Sequence, residues 1–298
     1  MKIADFNQGR VGVIEGDSIA DISDVVGHDP VSWPPTGMLR LIASFDQIKP
    51  KILARLSTAE RIPVSKVQLN CPVPWPNKVI AYPANYHAHI DEMKTGTGLI
   101  STFNASGQGF FLKSNSSLSG PRDPIVLPAL ANREIHHECE LAIIIGKGGR
   151  SISRERALEH IFGYSCLIDV VVRGKEERVM RKSFDSFCPM GPHITTSDEV
   201  PCYGDIDLEL RVNGELRQKA NTRDLIVDVP EMIAMASSVM TLYPGDVIAS
   251  GTPAGVGRLK ADDRVLIRIA GVGEMTLNVQ QGKDGAHPVW NKAPAATA

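Results

Sequence analysis

The sequence has no block of like charge: 32 lysines and arginines stand against 34 aspartates and glutamates, with both signs spread along the chain. Neither nucleic acid nor an anionic membrane is therefore expected as a partner. No apolar run approaches the ~20 residues that span a bilayer. The start, Met1-Lys2-Ile3-Ala4-Asp5, lacks the long apolar core of a secretory leader. Cysteine is sparse. Cys71, Cys139, Cys166, Cys188 and Cys202 are odd in number, widely spaced and form no C-x-x-C pair. That spacing supports neither a disulfide framework nor a structural zinc site, and a reducing cytoplasm is the expected compartment.

The chain has 298 residues, 43% of them hydrophobic, enough for one large domain and a small one. Residues 1–27 read as short strands over Lys2–Phe6, Arg10–Glu15 and Ser18–Ile22, and 37–59 as helix through Met38, Leu39, Leu41, Ile42 and Phe45. Alternating prolines in Cys71-Pro-Val-Pro-Trp-Pro76 can continue neither a helix nor a central strand. They place a boundary between a small N-terminal domain, 1–73, and a larger one, 74–280. The larger part is β-rich. Strands are expected over Lys78–Tyr82, Phe110–Lys113, Glu138–Ile145, Gly163–Val172, Asp207–Val212, Glu215–Lys219, Asp246–Ser250, Arg264–Ile269 and Glu274–Val279. Asn213-Gly214 suits a type I′ hairpin turn. Ser153 is placed to cap a helix over Arg154–His160, and Pro230 to open one over Glu231–Met240. The Gly-, Pro- and Ala-rich tail, 281–298, is expected to fray. The connections 84–108 and 173–192 are long enough to suggest function.

The segment His136-His137-Glu138-Cys139-Glu140 followed by Leu141–Ile145 carries the chemistry. On a strand, Glu138 and Glu140 share one face, about 7 Å apart along its axis. The apolar run after them reads as a strand buried on both faces, where two carboxylates are costly unless their charge is offset. Asp169 ends a second apolar stretch, Phe162–Ile168. Converging, these three would offer hard oxygen ligands to Mg²⁺, Mn²⁺ or Ca²⁺. The bland alternative is a solvated strand face and a strand-end aspartate bonding a turn.

Together these residues resemble the metal triad of the fumarylacetoacetate hydrolase superfamily. Further segments match in order: Asn85-Tyr86-His87-Ala88-His89-Ile90-Asp91-Glu92-Met93, Phe111-Leu112-Lys113, Lys182-Ser183-Phe184-Asp185 with Cys188-Pro189, Val212-Asn213-Gly214-Glu215, Pro244-Gly245-Asp246, and Gly251-Thr252-Pro253-Ala254-Gly255-Val256-Gly257. The resemblance covers 78–280. It implies an α+β, β-rich fold, a mixed β-sandwich roll with a small N-terminal domain, and a homodimer. It implies that Glu138, Glu140 and Asp169 bind Mg²⁺ or Mn²⁺. A 2-oxo acid would chelate that ion, which stabilises an enolate as a C–C bond breaks.

The resemblance also assigns roles. Glu92 would orient His89, which would deprotonate water. Lys182 would neutralise charge beside the metal. Thr252 would contact substrate in a glycine-rich loop, and Tyr86 and Lys113 would line the pocket. His87 has no matching role and reads as exposed. Without the resemblance, each of these has a plainer reading: a polar surface turn, or a solvated lysine in the basic run Arg173, Lys175, Arg178 and Arg181. Cys139 and Cys166 read as small buried hydrophobes.

Two departures bear on the substrate. Pro83-Ala84 stands where many members have Gly-Arg, and Asp169-Val170-Val171-Val172-Arg173-Gly174 replaces a hydroxyl with Val171 and an aspartate with Gly174. The expected activity is hydrolytic C–C cleavage of an acylpyruvate-like 2,4-diketo acid. The alternatives are oxaloacetate decarboxylation or isomerisation of a 2-hydroxy-diene-dioate on the same fold, and a non-catalytic binding protein.

Overall fold

Every residue of the Cys139–Ile145 strand is buried, and the strand sits in the middle of the architecture. The computed structural model describes residues 1–97, 104–130, 132–200, 202–285 and 287–291. Cys139–Ile145 pairs antiparallel with Ile161–Ile168 on one side and Val247–Ala249 on the other, within an 11-stranded sheet. A five-stranded sheet, ordered Glu215–Asn221, Asp207–Val212, Arg264–Ile269, Gly273–Gly285 and Ile125–Ala129, covers one face of it. Period-two alternation divides the central strand between two cores. Leu141, Ile143 and Ile145 pack with Leu208, Leu210, Ile267 and Leu277, while Ala142 and Ile144 pack with Ile3, Met38, Leu41 and Ile52. A third sheet, Val171–Val172, Ile135–His137 and Gly257–Arg258, stands beside the entry to the central strand. The fold is the expected β-rich α+β type.

The hairpin at Asn213-Gly214 forms, with both residues at positive φ (53° and 84°) and Val212 opposite Glu215. The helix Val229–Val239 carries Pro230 in its first turn, capped by the Asp228 side chain, which accepts from the Glu231 N–H at 3.1 Å. Other expectations are corrected. The helix expected over 37–59 is two, Gly37–Ala43 and Phe45–Leu56, broken at Ser44. Arg154–His160 is a 3₁₀ segment without a capping bond from Ser153. The strand expected over Gly163–Val172 breaks into Ile161–Ile168 and Val171–Val172, with Asp169 in the gap. The connection 173–192 contains the start of a nine-residue strand, Cys188–Thr196, hidden by Pro189, Gly191 and Pro192. Its ladder with Ile161–Ile168 slips between Tyr164, opposite Thr195, and Cys166, opposite Gly191. Pro192 thus lies in the irregular stretch, where its missing N–H costs no ladder bond.

Residues 1–73 extend the main sheet. Lys2–Phe6 pairs antiparallel with Cys188–Thr196, Lys2 lying opposite Thr195, and Ile3, Val11 and Val13 share a core with Ala142 and Ile144. The proline run marks a change of direction, while the strands on either side of it join. The tail also departs from expectation. Gly273–Gly285 continues past Gln281 by pairing with Ile125–Ala129, and Trp290 is buried against Phe184, ring centroids 5.2 Å apart. Residues 292–298 lie outside the described residues.

Asp5, on the first strand, is 3% exposed and accepts from Asn70 Nδ2 at 2.7 Å. Burial pushes its carboxyl up to about 7, only partly opposed by the Asn70 bond. A raised folded value means this group favours the fold fully below its unfolded value, near 4. That contribution is lost as pH rises through 7. Asp5→Asn is therefore expected to be more stable than the parent at pH 8, by up to about 4 kcal/mol, with the gain vanishing near pH 4. Urea unfolding at both values checks this, and destabilisation at pH 8 would refute it.

Candidate metal centre and catalytic site

Glu138 and Glu140 lie at the entry to the central strand, and Asp169 follows the end of its antiparallel neighbour. Because Cys139 lies opposite Ile168, the next ladder step brings the Asp169 N–H to the Glu138 carbonyl at 2.9 Å. The three carboxylates converge, with one oxygen from each within 4.8 Å of the others. Glu138, Glu140 and Asp169 are 7%, 2% and 1% exposed. Burial on that scale excludes a solvated strand face.

Two buried ammonium groups offset part of the charge. Lys182 Nζ donates to Glu138 Oε2 at 2.6 Å and to Asp169 Oδ2 at 2.5 Å. Lys113 Nζ donates to Asp169 Oδ1 at 2.5 Å and to the carbonyls of Lys182 and Phe187 at 2.6 and 3.2 Å. Burial alone would raise Glu138, but Lys182, then Arg173, hold it down at about 2. Among the described residues no ammonium contacts Glu140. Burial, reinforced by repulsion from Asp169, raises its carboxyl well above the usual range, and the bond it accepts from the Gly251 N–H at 2.8 Å does not reverse this. Three carboxylates thus meet two lysines, and the uncompensated charge rests on Glu140. A small hard divalent cation among these oxygens supplies the missing positive charge, so the donor set fits such an ion.

The loop after Val247–Ala249 approaches closely from the other side. Gly251 has φ +90°, and a Cβ there would lie 2.6 Å from Asn85 Cβ. Only glycine lets that N–H reach Glu140. Thr252 is 3% exposed and lines the same cavity as the three carboxylates. Its hydroxyl accepts from Gln218 Nε2 at 2.8 Å. Gln218, which the sequence reading missed, is fully engaged. Nε2 also donates to the Pro253 carbonyl at 2.8 Å, and Oε1 accepts from the Cys139 N–H and from His137 Nδ1, each at 3.0 Å. One amide therefore ties the metal strand to the Gly-Thr-Pro loop. Gln218→Leu strands four buried polar groups, each costing about 1–3 kcal/mol. The expected result is a urea midpoint shift equivalent to about 4 kcal/mol or more, with a raised KM for any 2-oxo acid substrate. An unshifted midpoint would show that the network carries no load.

His89 and Glu92 lie on one face of the His87–Thr97 helix, as three-residue spacing dictates. His89 Nδ1 lies 3.0 Å from Glu92 Oε2, and Glu92 Oε1 accepts from the Gly255 N–H at 3.0 Å. The His89 bond, with the Gly255 N–H, outweighs burial and lowers the Glu92 carboxyl, so it is ionised at neutral pH. An ionised acceptor places the proton on Nδ1 and leaves Nε2 as the basic nitrogen. His89 borders the cavity that holds Glu138, Glu140, Asp169, Lys182 and Thr252. His87 is exposed, as expected.

Tyr86 is 1% exposed and bridged to Leu225, and burial, with Cys139 and Glu140 adding to it, raises its phenol. Its neighbour Asn85 holds the segment by bonding both the Val227 and Ser250 carbonyls, which turns Tyr86 inward. Lys113 lies behind Asp169 and holds that ligand; it does not form part of the wall. The wall also includes Met93 and Phe111, from the matching motifs, and the arginines 173, 178 and 181. Nothing in the spacing of those arginines shows that the chain folds them toward the cavity. The cavity is small, about 80 Å³, room for a few waters or a compact acid. A larger open groove of about 560 Å³ runs beside Phe45 and Phe162. Lys49 and Asp198, both lining it, pair at 3.0 Å.

This constellation, on a two-sheet roll, defines a class. Residues 78–280 match the fumarylacetoacetate hydrolase C-terminal family, and the chain belongs to it. The chain is 42% identical over 286 residues to a maleylpyruvate hydrolase of Aquipseudomonas alcaligenes, covering 94% of this chain and 99% of that one. It superposes on a maleylpyruvate hydrolase from Sphingobium sp. SYK-6, solved with manganese(II) and pyruvate, with a TM-score of 0.87 and 54% identity over 95% of this chain and 100% of that one. A probable 2-hydroxyhepta-2,4-diene-1,7-dioate isomerase from Mycobacterium abscessus gives 0.77 and 31%, covering 95% and 99%.

Proposed function

We propose that this protein is a divalent-metal-dependent hydrolase of acylpyruvate-type 2,4-diketo acids, maleylpyruvate among them. The carrying observation is that His89, bonded to Glu92 at 3.0 Å, borders the same cavity as three carboxylates suited to a cation. Glu138, Glu140 and Asp169 would hold Mg²⁺ or Mn²⁺. When bound, that ion supplies Lewis acidity to the oxygens of a 2-oxo acid. Lys182 holds Glu138 and Asp169 in place, and Lys113 holds Asp169 from behind. The Thr252 loop gives polar contacts to a carboxylate. His89 Nε2 takes a proton from water, while Glu92 stabilises the imidazolium that forms. Water oxygen bonds to the acyl carbon, the bond from that carbon to the methylene breaks, and the methylene takes up a proton. The products are the free acid and pyruvate. A homodimer and a cytoplasmic setting, implied by the family, complete the reading; sedimentation of the purified chain as a monomer would remove the first.

The test is pyruvate release from acylpyruvates, with and without EDTA. Chelation is expected to stop turnover and added Mn²⁺ or Mg²⁺ to restore it. Full rate after chelation would overturn the reading. Absence of any metal-dependent turnover across diketo acids, oxaloacetate and ring-cleavage dioates would leave only a binding protein.

A further inference from the structure

Arg173 borders the cavity that holds the three carboxylates, and it is fixed from several sides. Its N–H donates to the Glu134 carbonyl at 2.8 Å, and its own carbonyl accepts from Arg133 Nη1 at 3.2 Å. Arg133 is buried, pairs with Glu176, and leaves no room for a Cβ at Gly174, the next residue. The side chain is held as well. Arg173 Nε donates to His136 Nδ1 at 3.0 Å, and His136 Nε2 lies 3.0 Å from Glu134 Oε2. A guanidinium can only donate, so Nδ1 is the acceptor. The ring is therefore neutral, with its proton on Nε2 facing the Glu134 carboxylate. The small third sheet sets this geometry, placing His136 between Val171 on one neighbouring strand and Arg258 on the other. Anchored through Nε, Arg173 brings Nη2 to 3.7 Å from Glu138 Oε1. An arginine beside buried carboxylates ordinarily closes on one of them in a two-pronged pair. Here the anchor stops Nη2 beyond hydrogen-bond distance, and the charge stays available at the cavity.

We infer that His136 is a positioning residue for the reaction. It acts through Arg173, holding that guanidinium off Glu138 so that it meets an oxygen of the 2-oxo acid as negative charge grows there. The inference rests on the hydrolase reading, which puts those oxygens at the carboxylate end of the cavity. It goes further in giving a task to a histidine outside the cavity wall. Glu134 fixes the tautomer, and Arg133 fixes the backbone beneath the guanidinium. A charge placed before the substrate arrives needs no reorganisation during the reaction, which is when such a group is most effective. Without its anchor the guanidinium is free to close on Glu138 or to turn to water, and the loss falls on turnover.

The experiment is a double-mutant cycle on acylpyruvate cleavage by the Mn²⁺-loaded protein. His136→Leu removes the acceptor and is expected to lower kcat about 30-fold, with KM moving by no more than about threefold. His136→Asn, whose side-chain oxygen can stand near the place of Nδ1, should keep about a third of the wild-type kcat or more. In an Arg173→Ala background, itself slow, His136→Leu should cost no more than about threefold, because the group it positions is gone. Equal losses in both backgrounds, an asparagine variant as slow as the leucine variant, or an Arg173→Ala variant as fast as the wild type would each overturn the inference. A second readout needs neither metal nor turnover. NMR of labelled histidine nitrogens in the metal-free wild type should show the His136 proton on Nε2. A proton on Nδ1 overturns the inference by itself, and this measurement stands should a variant fail to fold. A wild type that cleaves no acylpyruvate removes the hydrolase reading and the positioning role together. A wild type that cleaves one no faster than His136→Leu removes the positioning role alone.

Discussion

Glu140→Gln is expected to lower kcat/KM by about a thousandfold or more, the equivalent of several kcal/mol of lost charge stabilisation. The substitution is nearly isosteric. An amide oxygen at this position can still accept the Gly251 N–H, now bonded at 2.8 Å, so the loop keeps its anchor. What disappears is one of three charges in a site where the other two already have lysines. The metal-free variant should therefore be no less stable than the metal-free parent, because burial and Asp169 both oppose ionisation of Glu140. The two proteins should separate on titration with Mn²⁺. The parent's melting temperature should climb with metal, as any ligand bound only to the folded state requires, and the variant's should stay flat. A variant that loses its activity yet keeps the full metal-induced shift would remove Glu140 from the ligand set.

His89→Ala is expected to cut acylpyruvate hydrolysis by about 10²–10⁴-fold, the usual contribution of a positioned general base. The same protein should still bind metal, since among the described residues no hydrogen bond joins the imidazole to the three acids, and it touches Glu92 through Nδ1. Decarboxylation of oxaloacetate and isomerisation of a hydroxydienedioate need the metal site and Lys182 but no attacking water. They should survive in large part. A His89→Ala variant that loses such a reaction as completely as hydrolysis would show that the imidazole serves enolisation. One that retains full hydrolysis would remove the dyad from the mechanism. Glu92→Gln should fall between, because the imidazole remains while its proton-holding carboxylate does not.

Much of the candidate site could be read from short-range pattern. Glu138-x-Glu140 lies on one face because strand side chains alternate, and His89 and Glu92 meet because helical neighbours recur at three residues. The hairpin at Asn213-Gly214 was legible for the same reason: the turn's positive φ angles are a local demand that Asn and Gly meet. Cys188–Thr196 was not legible. Its prolines argue against a central strand, and only the slipped ladder opposite Tyr164 and Cys166 accommodates them. Gln218 gave no signal either. Its four bonds join Cys139, His137, Thr252 and Pro253, positions far apart along the chain.

By itself the sequence determined the chemistry on offer: hard oxygen donors entering an apolar strand, a His–Glu pair on a helical turn, a lysine and a glycine-rich loop, in an order that matches one family. These follow from residue type and from periods of two and 3.6, which act over a few residues. Only the tertiary structure decided which charges answer which. It set Lys113 behind Asp169 and left Glu140 without a lysine. It also folded Arg178 and Arg181 inward and joined residues 1–73 to the main sheet. Those outcomes depend on burial and on contacts between distant segments, and a charge in a linear sequence carries no mark of whether it will meet water or a carboxylate.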